Sequence, residues 1–302
     1  MIHSSPSTNL KLRLQSCLAP YIRLARLDKP SGIWLLLFPG WWGIALASPG
    51  LPSLKLMSLF ALGAVVMRSA GCIVNDLVDQ KIDAQVSRTK MRPLANKSLS
   101  NKQAFGFLIF LLSVGLLILS MLPPFTWGLG AFSLILVVSY PWMKRITYWP
   151  QAFLGLTFNW GALMGWAAVK ESLELRAFGL YAAGFFWTLF YDTIYAHQDK
   201  TDDLKIGVKS SALWLGHFTR PFLYGCIALI FLCFMLLNQS ISHIIFVLFA
   251  VLHLTWQATS VNFADPTDCF AKFRSNQVIG WLILMGLLVT KVKKFVISFC
   301  NF

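Results

Sequence analysis

Apolar runs of about the length of a bilayer-crossing helix recur along this chain, separated by short polar connections. They fall at about 32–48, 54–74, 104–121, 125–141, 151–169, 175–197, 212–237, 241–261 and 276–297. A helical span needs roughly 20 apolar residues, so the pattern predicts an all-α integral membrane protein with a bundle of nine transmembrane helices. Composition agrees: 57% of residues are hydrophobic and 13% charged, against about 25% charged in a soluble domain.

The polar positions are concentrated. Seven of the twelve acidic residues, all aspartates, lie in two stretches, 75–83 and 192–203, each following a long apolar run. Residues four apart stack on one helix face, so Asn75, Asp79 and Asp83 form one ridge. Asp192, Asp199 and Asp203, at offsets of seven and eleven, form another. Helix caps and Asx-turns need one carboxylate rather than three in register. Carboxylates on one face repel unless cations neutralise them, and Mg²⁺ suits hard oxygen ligands, binding through one or two carboxylates plus water and substrate phosphates. Two aspartate ridges facing across a cavity would hold a diphosphate through bridging Mg²⁺.

Charge sets the orientation. Nineteen Lys and Arg fall in the connections on the side of the aspartate motifs, and only Lys55, Lys170 and Arg176 on the other, which places both motifs in the cytoplasm. The expected location is the cell inner membrane, in preference to the mitochondrial inner membrane. Lys291, Lys293 and Lys294 resist this topology: either the C-terminal end snorkels at the interface or the span count is off by one. The formal charge of +14 suits anionic headgroups and phosphorylated substrates rather than nucleic acid. Residues 1–31 read as an N-terminal segment with an interfacial helix, built on Leu12, Leu14, Leu18, Ile22 and Leu24 among basic residues, rather than a transit peptide. Residues 32–302 read as one transmembrane domain. The six cysteines show no paired or metal-binding spacing, and His197 reads as a helix-face residue rather than a ligand.

The two motifs start 117 residues apart, at Asn75 and Asp192, which suggests an internal duplication around a central cavity. Arg68 lies seven residues before Asn75 on the same face. A charge inside a span costs about 2.5–3.5 kcal/mol, so Arg68 is expected to point into the cavity, the alternative being a snorkelling arginine. Asn159, Tyr191 and Tyr195 are further polar groups in apolar runs. Gly161 and Gly165 form a small-x-x-x-small pair for close helix packing.

Three segments carry a resemblance: Asn75-Asp-x-x-Asp79-x-x-x-Asp83, Tyr191-Asp-Thr-x-Tyr195-Ala-x-x-Asp199-x-x-Asp202-Asp203, and Tyr140-Pro-x-x-Lys144-Arg145. Together they resemble the UbiA-type intramembrane prenyltransferases, over about residues 23–290. Arg26-Leu-Asp-Lys-Pro30, Arg88-Thr-x-x-Arg92-Pro-Leu94 and Lys205-Ile-Gly-x-Lys-Ser210 are similar to the 4-hydroxybenzoate branch. The resemblance implies a polyprenyl diphosphate donor, 4-hydroxybenzoate as acceptor, Mg²⁺, and a place in ubiquinone biosynthesis; no obligatory protein partner is evident in the sequence. Asn75, Asp79, Asp199 and Asp203 match the family's metal and diphosphate positions, while Asp76, Asp83, Asp192 and Asp202 match its extended motifs; Asp83, on the first ridge, is counted as a metal candidate as well. Ala95-Asn-Lys-Ser98 departs from the turn usual after Arg-Pro-Leu.

That chemistry suits the residues. An allylic diphosphate ionises when its leaving group is neutralised, with Lys144, Arg68 and Arg92 as candidate helpers and Asp76 and Asp192 as further catalytic candidates. Tyr140, Asn159 and Tyr195 are candidates for substrate contact. The acceptor's carboxylate needs a fixed cation, for which Arg26 is the first choice and Arg68 the second. Menaquinone, haem or chlorophyll prenylation are neighbouring alternatives. A cation or metabolite transporter is the alternative from another class, disfavoured because transporter sites lie near the midplane in broken helices.

Overall fold

The computed structural model describes the backbone of residues 17–237 and 240–300, with side chains as far as residue 292. Its long helices are α1 (Ser31–Ala47), α2 (Leu54–Asp83), α3 (Asn101–Ser120), α4 (Phe125–Ile146), α5 (Pro150–Lys170) and α6 (Leu175–Ala196). Two short helices follow, α7 (Lys200–Ile206) and α8 (Ser211–Leu215), and then α9 (Thr219–Leu237), α10 (Ile241–Ser260) and α11 (Pro266–Cys300). No strand occurs among the described residues. In hydrocarbon, every backbone polar group must be satisfied within its own segment, and helices do this.

Seven helical stretches among the described residues are long and apolar enough to cross a membrane. The nine expected spans are therefore not all matched: α1 is apolar but has 17 residues, and α6 falls outside the seven. Helix α2 has 30 residues and is about 45 Å long. It overshoots a hydrocarbon core of roughly 30 Å, and the aspartates sit on the overshoot. Lys291, near the far end of α11, hydrogen-bonds the Ser48 carbonyl at the end of α1. That helix therefore runs to the end opposite the aspartates; Lys293 and Lys294 lie outside the described side chains.

Glycines set the closest helix contacts. A Cβ on Gly165 would lie 2.2 Å from the Gly40 carbonyl oxygen, and one on Gly43 2.4 Å from that of Ala162, so α1 and α5 touch backbone to backbone, the packing read from Gly161 and Gly165. Phe38, Trp42, Trp187, Phe190, Phe234 and Ile283 fill the core around this contact. The Trp42 indole N–H donates to the Gly280 carbonyl at 3.0 Å. Helices α3 and α4 are packed more thinly: α4 buries only Thr126 and Pro141, and Leu116, Leu117 and Ile135 are exposed, as a lipid-facing surface requires.

Residues 17–24 form a helix that exposes Leu18 and Ile22; Leu12 and Leu14 lie outside the described residues. Leu24 is fully buried in a cluster with Ala70, Ile73, Leu94, Leu99 and Ala104. That cluster fastens the 84–100 connection over the aspartate end of α2. Ser100 closes the connection with a capping box on Gln103.

Overpacking a tight contact costs about 1–3 kcal/mol. Gly165→Ala is expected to lower the thermal midpoint of the detergent-purified protein, whereas Gly106→Ala, where a Cβ meets nothing within 4 Å, leaves it unchanged or raised.

Candidate active site

The aspartate end of α2 is closed by cations from three other parts of the chain. Asp76, Asp79 and Asp83 are 1%, 0% and 4% exposed, and burial of bare carboxylates at this density is prohibitive without partners. Arg26, held in the left-handed region at φ 57°, donates one Nη to both Asp76 oxygens at 2.7 and 2.8 Å. Arg92, from the 84–100 connection, bridges Asp76 at 3.2 Å and Asp83 at 2.8 Å. Asp79 pairs with Lys144 and, at 3.0 Å, with Arg145 at the end of α4. Arg145 also donates to the Val78 carbonyl at 3.1 Å and stacks over Trp142.

The second motif leaves the long helix. Helix α6 ends at Ala196; a 3₁₀ turn, His197–Asp199, leads into α7, which stops at Gly207 with φ 77°. The expected straight ridge is thus bent, yet Asp192, Asp199 and Asp203 all line the same cavity. Arg88 reaches from the 84–100 connection to Asp199, with its Nε 2.8 Å from Oδ1, and to the Tyr195 hydroxyl at 2.9 Å. The Ser87 N–H donates to Asp202 at 3.0 Å. One connection therefore carries contacts to both motifs. Burial and the neighbouring Asp199 charge push the Asp203 carboxyl up to about 7.

These residues surround a cavity of about 1220 Å³. Its polar end holds Arg26, Asn75, Asp76, Asp83, Arg88, Arg92, Tyr140, Lys144, Tyr191, Asp192, Tyr195, Asp199 and Asp203, and its remainder is apolar, running along α2, α3, α4 and α5 past Met67, Leu119 and Val137. Arg68 points into it as expected, packed over Phe158 at 5.5 Å. A Cβ on Gly32 would lie 2.5 Å from Arg68 Nε, so the glycine makes room for the guanidinium. Among the described residues Arg68 has no carboxylate at ion-pair distance, and its Nε has no hydrogen-bond partner.

Two sequence expectations are corrected in placement. Asp79 shares the helix with Asn75 and Asp83 but is not on the cavity wall; it is fully buried against α4. Asn159 is enclosed between α5 and α6, donating to the Gly155 carbonyl and to Thr188, both at 2.8 Å, and does not line the cavity. His197 is buried against Phe263 and Thr219, a packed histidine. Arg88 and Arg145 stand in the family segments of the sequence, but no role was assigned to either. Each lies in a basic connection counted for topology, and the signal was stoichiometric: seven clustered aspartates need matching cations.

Among the described residues, no three His, Cys, Asp or Glu side chains converge closely enough to hold a metal ion by themselves. This fits Mg²⁺ held by one or two carboxylates from each motif and completed by phosphate oxygens and water. The donor set is hard oxygen throughout: the Asn75 amide and the carboxylates of Asp83, Asp199 and Asp203.

A family model described as the UbiA prenyltransferase family matches residues 36–285. The chain belongs to this family. It is 48% identical over 284 residues to "4-hydroxybenzoate polyprenyltransferase, mitochondrial" from Caenorhabditis elegans, covering 92% of this chain and 80% of the relative. The protein of the same name from Homo sapiens is 45% identical, with 92% and 76% covered. Among solved structures, the apo UbiA homolog from Aeropyrum pernix K1 superposes with a TM-score of 0.73 at 22% identity, over 85% of this chain and 97% of that one. The UbiA homolog from Archaeoglobus fulgidus bound to GPP and Mg²⁺ gives 0.68 at 18%, over 90% and 99%. These similarities confirm the all-helical membrane fold. The relatives' names correct the expected location: they are mitochondrial proteins, which stands against the cell inner membrane. Loop charge marks one face of a membrane and does not distinguish bacterial cytoplasm from mitochondrial matrix.

Removing Arg92 leaves buried Asp83 without its cation, which costs about 3–5 kcal/mol in a buried pair. Arg92→Ala is expected to lower the thermal midpoint and open the 84–100 connection to limited proteolysis. Adding Asp83→Asn should recover much of the loss.

Proposed function

We propose that this chain transfers a polyprenyl group from polyprenyl diphosphate to the ring carbon ortho to the hydroxyl of 4-hydroxybenzoate, releasing diphosphate, in ubiquinone biosynthesis. One observation carries the reading: a single cavity is lined at one end by two aspartate motifs held by arginines and one lysine, and is apolar over the rest of its length. A prenyl diphosphate has the same division of charge. The names of the relatives supply the acceptor class. Residues 32–302 act as one transmembrane catalytic domain, with residues 17–30 contributing Arg26. The protein works in a mitochondrial membrane, its basic, aspartate-bearing end on the matrix side.

The chain's own residues define the chemistry. Asn75, Asp83, Asp199 and Asp203 would hold Mg²⁺, with Asp79 fixing Lys144 and Arg145 from behind. When bound, Mg²⁺ neutralises negative charge on a diphosphate leaving group. Lys144, Arg88, Arg92 and Arg26 supply further positive charge at the same end, each now occupied by an aspartate, and charge-assisted bonds to phosphate oxygens replace those contacts. The allylic C–O bond breaks with its electron pair leaving on the diphosphate, and the apolar walls exclude water from the carbocation. Tyr140 and Tyr195 border the polar end. The ortho carbon of the acceptor forms the new C–C bond. Asp192, which lines the cavity without a cation at ion-pair distance among the described residues, accepts the phenol proton as the ring attacks; the displaced ring proton leaves with the diphosphate as the ring rearomatises, and Asp192 returns its proton to the phenolate oxygen.

Arg68 rather than Arg26 takes the acceptor's carboxylate. Arg26 is paired with Asp76 through both carboxylate oxygens, whereas Arg68 lines the cavity with no carboxylate at ion-pair distance among the described residues, one Nη resting on the Cys72 sulfur. Arg68→Ala is expected to raise the KM for 4-hydroxybenzoate roughly 10- to 100-fold, the loss of one charge-assisted contact, with little change for the prenyl diphosphate. Arg26→Ala should act mainly on the diphosphate. The reverse pattern, read from steady-state kinetics, would exchange the two roles.

The overall reading is tested by incubating purified protein with geranyl diphosphate, 4-hydroxybenzoate and Mg²⁺. Prenylated product should form, vanish on chelation, and be lost in Asp199→Ala. Protonation competes with the cation at Asp203, whose carboxyl titrates near 7. Mg²⁺ affinity should therefore rise with pH up to about 7 and level off above it; an affinity flat between pH 5.5 and 8 would remove Asp203 from the ligand set.

A further inference from the structure

Resting on the proposed reading of the cavity, the structure also points to a role that neither the carboxylates of the aspartate motifs nor the basic connections supply. Asn159, Thr188 and Tyr191 form a directed chain of hydrogen bonds between α5 and α6. The Asn159 amide N–H₂ donates to the Gly155 carbonyl, 2.8 Å away, which fixes which end of the amide faces which way, because an oxygen there would face another oxygen. Its second hydrogen goes to Thr188 Oγ1 at 2.8 Å. With that lone pair occupied, the Thr188 hydroxyl donates to the Tyr191 hydroxyl oxygen at 3.0 Å. Each group has one polarity left, and the last is the Tyr191 O–H hydrogen. Tyr191 lines the cavity, as do Arg68 and Asp192, and its ring is wedged between Trp187 and Phe273 at centroid distances of 5.2 and 5.6 Å. Ring and hydroxyl are both held, and the hydroxyl hydrogen has no acceptor among the described residues.

The chain is built at a cost that packing alone does not repay. Asn159 and Thr188 are fully buried, and Asn159 Oδ1 has no partner, a loss that an apolar residue would avoid. The amide fits only because residue 184 is glycine: a Cβ there would lie 2.1 Å from Oδ1.

We infer that Tyr191 is a second donor to the acceptor's carboxylate beside Arg68, and that Asn159 and Thr188 are positioning residues that polarise and aim its hydroxyl. A fixed neutral donor next to a guanidinium distinguishes a carboxylate, which accepts from both, from an amide, whose N–H₂ end repels the hydroxyl hydrogen. The cavity thereby selects acidic phenols over their uncharged analogues.

The test uses the full-length purified protein with geranyl diphosphate, Mg²⁺ and either 4-hydroxybenzoate or 4-hydroxybenzamide. Tyr191→Phe and Thr188→Val are each expected to raise the KM for 4-hydroxybenzoate roughly 10-fold or more, the scale of one hydrogen bond to a charged group. The KM for geranyl diphosphate should stay near wild type in both, as should the thermal midpoint of Tyr191→Phe, whereas Thr188→Val strands a buried Asn159 N–H and lowers the midpoint. Thr188→Ser, which keeps the hydroxyl, should behave as wild type, and Tyr191→Phe/Thr188→Val should be no worse than Tyr191→Phe alone. The preference for the acid over the amide should shrink in the impaired variants. An unchanged acceptor KM in Tyr191→Phe, or an equal rise for both substrates, overturns the assignment; a normal KM in Thr188→Val overturns the relay. Wild-type protein that makes no product from 4-hydroxybenzoate would instead refute the reaction itself, so the two failures are distinct.

Discussion

Charge compensation at a membrane boundary governs this structure. Asp76, Asp79 and Asp83 are almost completely removed from solvent, where an unpaired carboxylate is expensive and a paired one is strong only when the geometry holds. Their cations arrive from the segment before α1, from the 84–100 connection and from the end of α4. The second motif draws Arg88 from that same connection. Parts of the chain far apart in sequence are thus fastened to one another by the acids they neutralise. Those cations are also the groups best placed to meet an anionic substrate, so folding and substrate recognition draw on the same interactions.

The bundle around this end is held by a different force. Without a hydrophobic drive between helices in lipid, close packing and interhelical hydrogen bonds do the work. The glycine contact of α1 with α5 and the buried aromatic cluster make a dense half. On the other side α3 and α4 bury little, and the apolar part of the cavity runs between them and α2. A polar end that attracts diphosphate and an apolar flank thinly closed against lipid suit an amphiphilic donor with a long tail. The same dense half carries the Asn159–Thr188–Tyr191 chain, so the acceptor-facing hydroxyl is mounted on the rigid side.

Much of the architecture was legible in the sequence because bilayer thickness and the exclusion of charge act on every span independently. The apolar runs, the side bearing the basic loops and the clustering of aspartates at helix ends follow from such local constraints. Arg68 could be placed in the cavity because a charge inside a span has few other destinations. Location in a particular organelle was beyond reach, since the loop-charge rule describes one face of a membrane and not which membrane it is.

The sequence by itself determined that this is a helical membrane protein with two aspartate motifs, chemistry suited to a diphosphate, and the family segments around them. Only the tertiary structure decided which acid meets which cation: that Asp79 turns away from the cavity, that Arg26 is spent on Asp76 while Arg68 is not, that Arg88 closes the second motif, and that Asn159 serves a neighbour rather than a substrate. Helical periodicity fixes the face on which a residue lies. Pairing depends on the distance between side chains on separate elements, which is set by how the helices pack and by how a bend such as the 3₁₀ turn at His197–Asp199 redirects the chain.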